Sequence, residues 1–279
     1  MFLNGAAALA GGDNYSIGAR SAGMGNASVT LGDLWSINHN QAGLADIKKI
    51  TAGIYYENRF SISEMGLKAV AAAFPIPGFA NGVLGLSVSY FGYAAYNDSK
   101  FGLAYAKKLG DRYSVGIQLD YLQTTIGGDY GKKGAVAAET GFKAELIDNL
   151  FIGIHIFNPT RTKLFTYTIQ EIPETERIPT IMRFGLSYRF SEKVIVSVET
   201  EKDIYYKPVF KAGIEYQPID LLYLRAGIST DPVYNSFGFG INLNHFKIDF
   251  AASRHQVLGY TSQIGLSYEF NKKNVEKQD

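Results

Sequence analysis

From residue 48 onward, apolar and polar side chains alternate in short runs. Val115, Ile117, Leu119 and Tyr121 fall on one side of such a run, and Ser114, Gly116, Gln118 and Asp120 on the other. Successive side chains on a strand point to opposite faces, so each run predicts a strand with one apolar and one polar face. The same split sets Leu84, Leu86, Val88 and Tyr90 against Gly85, Ser87 and Ser89. It sets Leu222, Leu224, Ala226 and Ile228 against Tyr223, Arg225, Gly227 and Ser229. Fourteen runs of this kind centre near Ile54, Val70, Leu86, Leu103, Ile117, Glu139, Ile154, Gly185, Val196, Gly213, Arg225, Phe239, Phe250 and Leu266. The second, Leu67 to Phe74, is Ala-rich and helical by intrinsic propensity. Fourteen runs over residues 48–270 leave about 16 residues for each strand and its connection, of which a membrane-spanning strand takes about 9–11.

The connections alternate in length. Leu109 to Arg112, Ile147 to Asn149, Ser191 to Lys193, Gln217 to Asp220 and Asn244-His245 are short turns, with longer segments between them, the longest from Asn158 to Thr180. Short turns at one end and longer loops at the other are the pattern of an outer-membrane barrel, and a soluble sandwich has no reason to sort its loops in this way. The expected fold class is therefore all-β, a 14-stranded antiparallel transmembrane β-barrel. An even strand number places both termini at the short-turn, periplasmic end.

Composition sharpens this reading. The chain has 279 residues with 19 Tyr, 18 Phe and 30 Gly, against one Trp and four His, and a mean hydropathy of −0.04. Abundant aromatics in an alternating chain suit a wall whose outer side faces lipid. Tyr90, Tyr113, Tyr121, Tyr188, Phe190, Tyr216, Phe237, Tyr268 and Phe270 lie near strand ends and fit an interfacial girdle. A net charge of +1 argues against nucleic acid as a partner. The absence of Cys excludes disulfide scaffolds, thiolate metal sites and Cys nucleophiles.

The first residues read differently. Met1 to Ala10 resembles the tail of a secretory signal peptide, a short apolar run closed by the small-x-small Ala8-Leu9-Ala10. Residues 11–47 are rich in Gly, Ser and Asn, with a helical stretch only near Asp33 to Ile37. Such a segment cannot cross lipid with its backbone unpaired, but it can find partners inside a barrel as wide as fourteen strands make it. The expected organisation is thus a signal-peptide tail over 1–10, a lumen plug over 11–47, the barrel over 48–270 and a charged periplasmic tail over 271–279. The final run, Gly265-Leu266-Ser267-Tyr268-Glu269-Phe270, has the form Gly-x-x-aromatic-x-aromatic. Gly265, Tyr268 and Phe270 there suit a signal to the barrel assembly machinery, which binds such an edge by strand addition.

Two stretches carry a family resemblance. Ile17 to Val29, with Gly18, Arg20, Gly23, Met24 and Gly25, resembles the start of mature barrels of the FadL superfamily, most closely the PorV/PorQ branch associated with type IX secretion. Asn40-Gln41-Ala42-Gly43-Leu44 resembles the Asn-Pro-Ala-Gly-Leu segment of that superfamily, with Gln41 in place of Pro. The resemblance implies the N-terminal plug within a FadL-like barrel. It further implies one of two roles. The first is that of a non-catalytic accessory to protein export, docking to an outer-membrane secretion complex. The second is that of a channel taking up a hydrophobic ligand such as a fatty acid.

The remaining chemistry points to structure. The faces expected to line the lumen carry both signs of charge, among them Asp120, Glu139, His155, Arg183, Glu199 and Arg225, with Glu57, Lys68, Glu201, Lys211, Glu215 and Asp249. Interspersed charges of this kind fill a lumen by pairing across strands. His39, His155, His245 and His255 share no metal-ligand spacing, so neither metal nor cofactor is expected. Ser253 and His255 are the one pairing that could suggest an enzyme at a barrel rim, and closeness in sequence makes no triad.

Overall fold

The computed structural model describes residues 14–77, 81–127, 131–169 and 172–270, and only the backbone over 164–176. The signal-peptide reading of 1–10 and the tail 271–279 lie outside the described residues. Strands β1 (Thr51–Asn58), β2 (Gly66–Ile76), β3 (Gly82–Tyr93), β4 (Tyr96–Leu109), β5 (Tyr113–Ile126), β6 (Gly131–Ile147) and β7 (Leu150–Phe157) follow one another as antiparallel neighbours. A separate hairpin, β8 (Lys163–Ile169) and β9 (Ile172–Arg177), interrupts the series. It resumes with β10 (Ile181–Ser191), β11 (Val194–Asp203), β12 (Val209–Ile219), β13 (Leu222–Ser229), β14 (Tyr234–Leu243), β15 (Phe246–His255) and β16 (Gly259–Glu269). β7 pairs with β10, and β1 pairs with β16, so the fourteen wall strands close a barrel. Each wall strand falls on one of the runs read from the sequence.

The alternation is inside out relative to a soluble domain. On β5, Ile117 and Leu119 are 61% and 60% exposed, whereas Gln118 and Asp120 are 2% and 1%. An outer surface of Ile, Leu, Val and Phe around a buried polar interior is stable where the surrounding medium is hydrocarbon. β2 forms a strand despite its alanines, because Leu67, Ala69, Ala71 and Ala73 bury against the lumen contents. That packing turns Lys68 outward, correcting its expected place in the lumen. It sits beside Tyr56 and Tyr90 on the adjoining strands. An Ala-rich run offers too little contrast between its faces for sequence to orient it.

The sorting of connections by length is partial. At the long-loop end, β3 and β4 are joined by two residues only, Ala94-Ala95. β4, β5 and β6, at 14, 14 and 17 residues, carry the ladder beyond the length a span requires. The long loop 158–180 is folded around β8 and β9. Its foot is pinned where the Asn158 side-chain amide donates to the Ile178 carbonyl (2.8 Å) and the Thr180 hydroxyl donates to the Asn158 carbonyl (2.8 Å). Phe157, Ile178, Ile181, Leu122 and Ala137 form an apolar cluster at this foot.

Candidate functional site: the N-terminal segment and the two vestibules

Residues 14–47 lie against the inner face of the wall. They form one short helix, α1 (Ala19–Gly23), and two 3₁₀ turns, Leu34–Asn38 and Gln41–Asp46. Each turn starts on a side-chain cap: Asp33 accepts from the Trp35 amide (2.9 Å) and Asn40 from the Ala42 amide (3.2 Å). Asn14 stands at the long-loop end, beside Arg59, Asp98 and Thr124, whereas residues 46–49 reach the opposite end beside Asn244 and His245. The segment therefore runs the length of the lumen. Asn14 and Phe270, the two ends of the described chain, lie at opposite mouths, and the termini expected at the short-turn end lie outside the described residues.

Glycines make room for it. The Met24-Gly25 backbone runs directly against Gly213 of β12 and Gly227 of β13, and the Asn40–Ala42 backbone against Gly116 of β5 and Gly141 of β6. A Cβ on Gly116 would fall 2.5 Å from the Gln41 carbonyl carbon. On the segment itself, Gly25 has φ +64°, and a Cβ there would fall 2.7 Å from the Ile228 backbone. Inward glycines spaced along successive strands are the sequence signal of this close approach, and reading them only as members of the polar face misses it.

Charge fastens what the glycines admit. Arg20 donates two parallel hydrogen bonds to Glu215 (2.9 and 2.7 Å) and a third to Asp33 (3.0 Å). Arg225 ties the same Glu215 (2.6 Å) to Asp249 (2.8 Å). Glu199 accepts from the backbone amides of both Ser28 and Val29 (2.8 Å each) and pairs with Lys211 (3.0 Å). Arg183 donates to the Asn38 carbonyl (3.2 Å) and pairs with Glu201 (2.7 Å). Glu139 holds Gln41 of the segment together with Lys100, and His155 lies 2.8 Å from it. Asp120 accepts from Gln118 (2.8 Å), with Lys100 3.4 Å away. Asp46 receives Lys143 (2.6 Å) and Lys108 (2.9 Å).

The six lumen residues singled out from sequence are thus all buried, and Glu139, Arg183 and Glu199 bond the segment directly. Arg225 acts through Glu215, while Asp120 and His155 meet wall residues. Gln41, which stands where the superfamily segment has Pro, uses an amide that Pro lacks to reach Glu139 and the Ile37 carbonyl (3.1 Å). Asn40 clamps two backbones, donating to the Val29 (2.7 Å) and Phe142 (2.9 Å) carbonyls. Ala42, Gly43 and Leu44 are buried beneath it. Gly18, at φ +128°, lets the chain turn over Trp35, and Gly23 touches Gly238 and Arg225. Gly265 faces Ala19 without crowding. Tyr268 and Phe270 stack edge to face (4.7 Å) beside Phe246. Lys100 escaped the sequence reading because Asn97 to Lys100 is polar on both faces. Parity counted back from Leu103 would have turned it inward.

Within the segment, burial opposes ionisation of Asp33, but the Arg20 and Lys247 charges hold its carboxyl below the ordinary range. Burial, assisted by the nearby Arg183 charge, pushes His39 down to about 4, so it is neutral at pH 7. His255 is committed to its turn, its Nδ1 accepting from the Val257 and Leu258 amides (3.0 and 2.9 Å), and Ser253 meets Ser236 (3.1 Å). Among the described residues no group of His, Asp and Glu is placed to hold a metal ion.

The segment divides the lumen into two vestibules. One, of about 530 Å³, opens at the long-loop end over Ala22 and Asn26. The other, of about 420 Å³, opens at the short-turn end beneath Arg20, Asp33 and Asp46.

No protein-family model matches the chain, and no curated protein matches it. Solved structures do. A FadL homologue from Pseudomonas aeruginosa superposes with a TM-score of 0.70 at 13% identity, covering 94% of this chain and 100% of the other. The Ralstonia pickettii toluene transporter TbuX gives 0.68 at 13%, covering 91% and 98%, and the P. putida toluene transporter TodX 0.68 at 12%, covering 94% and 100%. The fold is FadL-like. In this FadL-like wall every strand pairs with both neighbours, and its bulges, at Arg189/Ser191, Tyr216/Ile219 and Glu145/Ile147, sit near the short-turn end.

Proposed function

We propose that the chain is an outer-membrane channel for small hydrophobic molecules, closed at rest by its N-terminal segment. The observation that carries this reading is the pair of vestibules facing each other across that segment, inside a fold whose solved examples include toluene transporters. The partition is thin near α1, where Ala22 borders the long-loop vestibule and Arg20 the other. It is also fixed, because Arg20, Asp33, Glu215, Arg225 and Asp249 form one continuous ionic chain from segment to wall. Passage then requires the segment to shift.

A cross-link tests this. A Cβ placed on Gly265 would lie 3.8 Å from the Cβ of Ala19 at the start of α1, the separation a disulfide spans, and the chain has no other Cys. Uptake of toluene by cells expressing Ala19→Cys/Gly265→Cys should fall to the empty-vector level when oxidised and recover on reduction. Uptake by the unaltered protein that matches the empty vector would refute the channel reading. Uptake indifferent to the cross-link would refute closure by the segment.

The export-accessory reading keeps one observation on its side. The outer face of β11 to β14 carries an apolar groove of about 410 Å³ floored by Ala212 and Ala226 and flanked by Ile214, Ile228 and Phe237. A larger membrane assembly could dock there. Recovery of stoichiometric secretion components with the protein in mild detergent would favour that role.

A further inference from the structure

The long-loop vestibule has a chemistry that a bare hydrocarbon does not use. Tyr15, Phe60, Met65 and Tyr234 give it an apolar side. On the other side β14, β15 and β16 supply Ser236, Ser253, Thr261 and Gln263, all buried. Two carboxylates at its margin already hold counter-charges: Glu57 by Arg59, which lies over the Tyr15 ring (4.4 Å), and Glu201 by Arg183 and Lys211. Asp203, at the rim, accepts from the Tyr205 amide (2.8 Å). Gln263 differs. It is 7% exposed, it lines the vestibule, and its Oε1 has no hydrogen-bond partner. Asn14 Nδ2, on the same vestibule, is likewise unpartnered. A buried amide oxygen without a donor is costly, and a ligand that brings the donor recovers that cost.

We propose that this vestibule is a binding site for small neutral molecules that carry a hydroxyl on an apolar body, with Gln263 Oε1 accepting the hydroxyl proton. The inference rests on the channel reading and specifies its substrate class. The volume of about 530 Å³ lies within the range of small-molecule sites, roughly 300–1,000 Å³. Anionic ligands are disfavoured here by Glu57, Glu201 and Asp203, and Glu57 and Glu201 already hold their counter-charges. A hydrocarbon leaves Gln263 as it found it.

Toluene and p-cresol differ by one hydroxyl, and binding of each to the full chain in lipid nanodiscs, with empty nanodiscs subtracted, tests the proposal. p-Cresol should bind roughly tenfold more tightly than toluene, the size expected of one hydrogen bond to a buried acceptor. Gln263→Leu should bring p-cresol to the level of toluene and leave toluene unchanged. Should that variant not fold, Ser253→Ala, which trims the same polar side, should weaken p-cresol alone. Equal binding of the two probes, or a p-cresol affinity that survives both variants, would overturn the site while leaving toluene uptake to judge the channel. Binding of neither probe would overturn both.

Discussion

Two side chains show how sharply a residue's surroundings set its role. Leu119 and Asp120 are neighbours on β5, the first among the most exposed apolar residues of the wall and the second buried against Lys100 and Gln118. Leu119→Arg should cost about 2–4 kcal/mol if this position meets the middle of the hydrocarbon. Denaturant unfolding in lipid vesicles measures it, and a neutral outcome would mean that the position sits outside the hydrocarbon. His39 carries the pH prediction. Its Nε2 has no partner and its pKa is pushed down from 6.5 to about 4, so the fold holds it neutral. Above pH 6.5 neither state binds its proton and His39 contributes no pH dependence. Below that the unfolded chain protonates first, so stability falls between pH 6.5 and 4, by about 3 kcal/mol in all. His39→Asn should remove this part of the acid sensitivity. An unfolding profile with the same slope in wild type and variant would refute it.

At the scale of elements, the strands were legible because each had to satisfy two media at once. Period-two alternation records that requirement directly, which is why fourteen centres could be placed from side-chain parity alone. β2 shows where the record fails: alanine suits either face, so Lys68 was turned the wrong way. The β8–β9 hairpin was not legible as strands, since it stands outside the wall ladder and carries no requirement to face lipid. The segment inside the lumen was legible as a segment, through its composition and the two motif stretches, but not in its path. Its partners are a set of glycines and charges scattered over most of the wall strands, and sequence gives their parity without saying which of them meet. Gly227 and Gly265 separate those cases. A Cβ on Gly227 would collide with the Met24-Gly25 backbone, whereas one on Gly265 would find its nearest atoms 3.8 Å away. Gly227→Ala should therefore destabilise by about 1–3 kcal/mol through overpacking. It should also speed proteolysis of the segment, while Gly265→Ala leaves the purified protein unchanged. Equal behaviour of the two variants in thermal unfolding would show that the segment does not press on the wall at β13.

For the molecule as a whole, the direction of the segment bears on how the barrel can be built. The chain passes through the lumen from Asn14 at the long-loop mouth to Lys49 at the other mouth, and only then begins β1, which pairs with the last strand. A wall closed first would have to be threaded along its full length past Glu215, Glu199 and Glu139. A wall that closes last, by pairing β1 with β16, can instead fold around a segment already in place. The close glycine contacts support the second order, since the Met24-Gly25 and Asn40–Ala42 backbones sit directly on Gly227 and Gly116 and leave no clearance for a chain sliding past. Which mouth faces the cell exterior decides from which side the segment enters. With the short turns in the periplasm, as outer-membrane barrels carry them, Asn14 lies at the outer mouth. The cysteine-free chain makes a clean test. Val257, 84% exposed in the β15–β16 turn, and Asp148, in the β6–β7 turn, mark the two ends. In intact cells a membrane-impermeant maleimide should label Val257→Cys and spare Asp148→Cys, and permeabilised cells should label both. The reverse pattern would put the short turns outside and make Asn14 the periplasmic end of the segment.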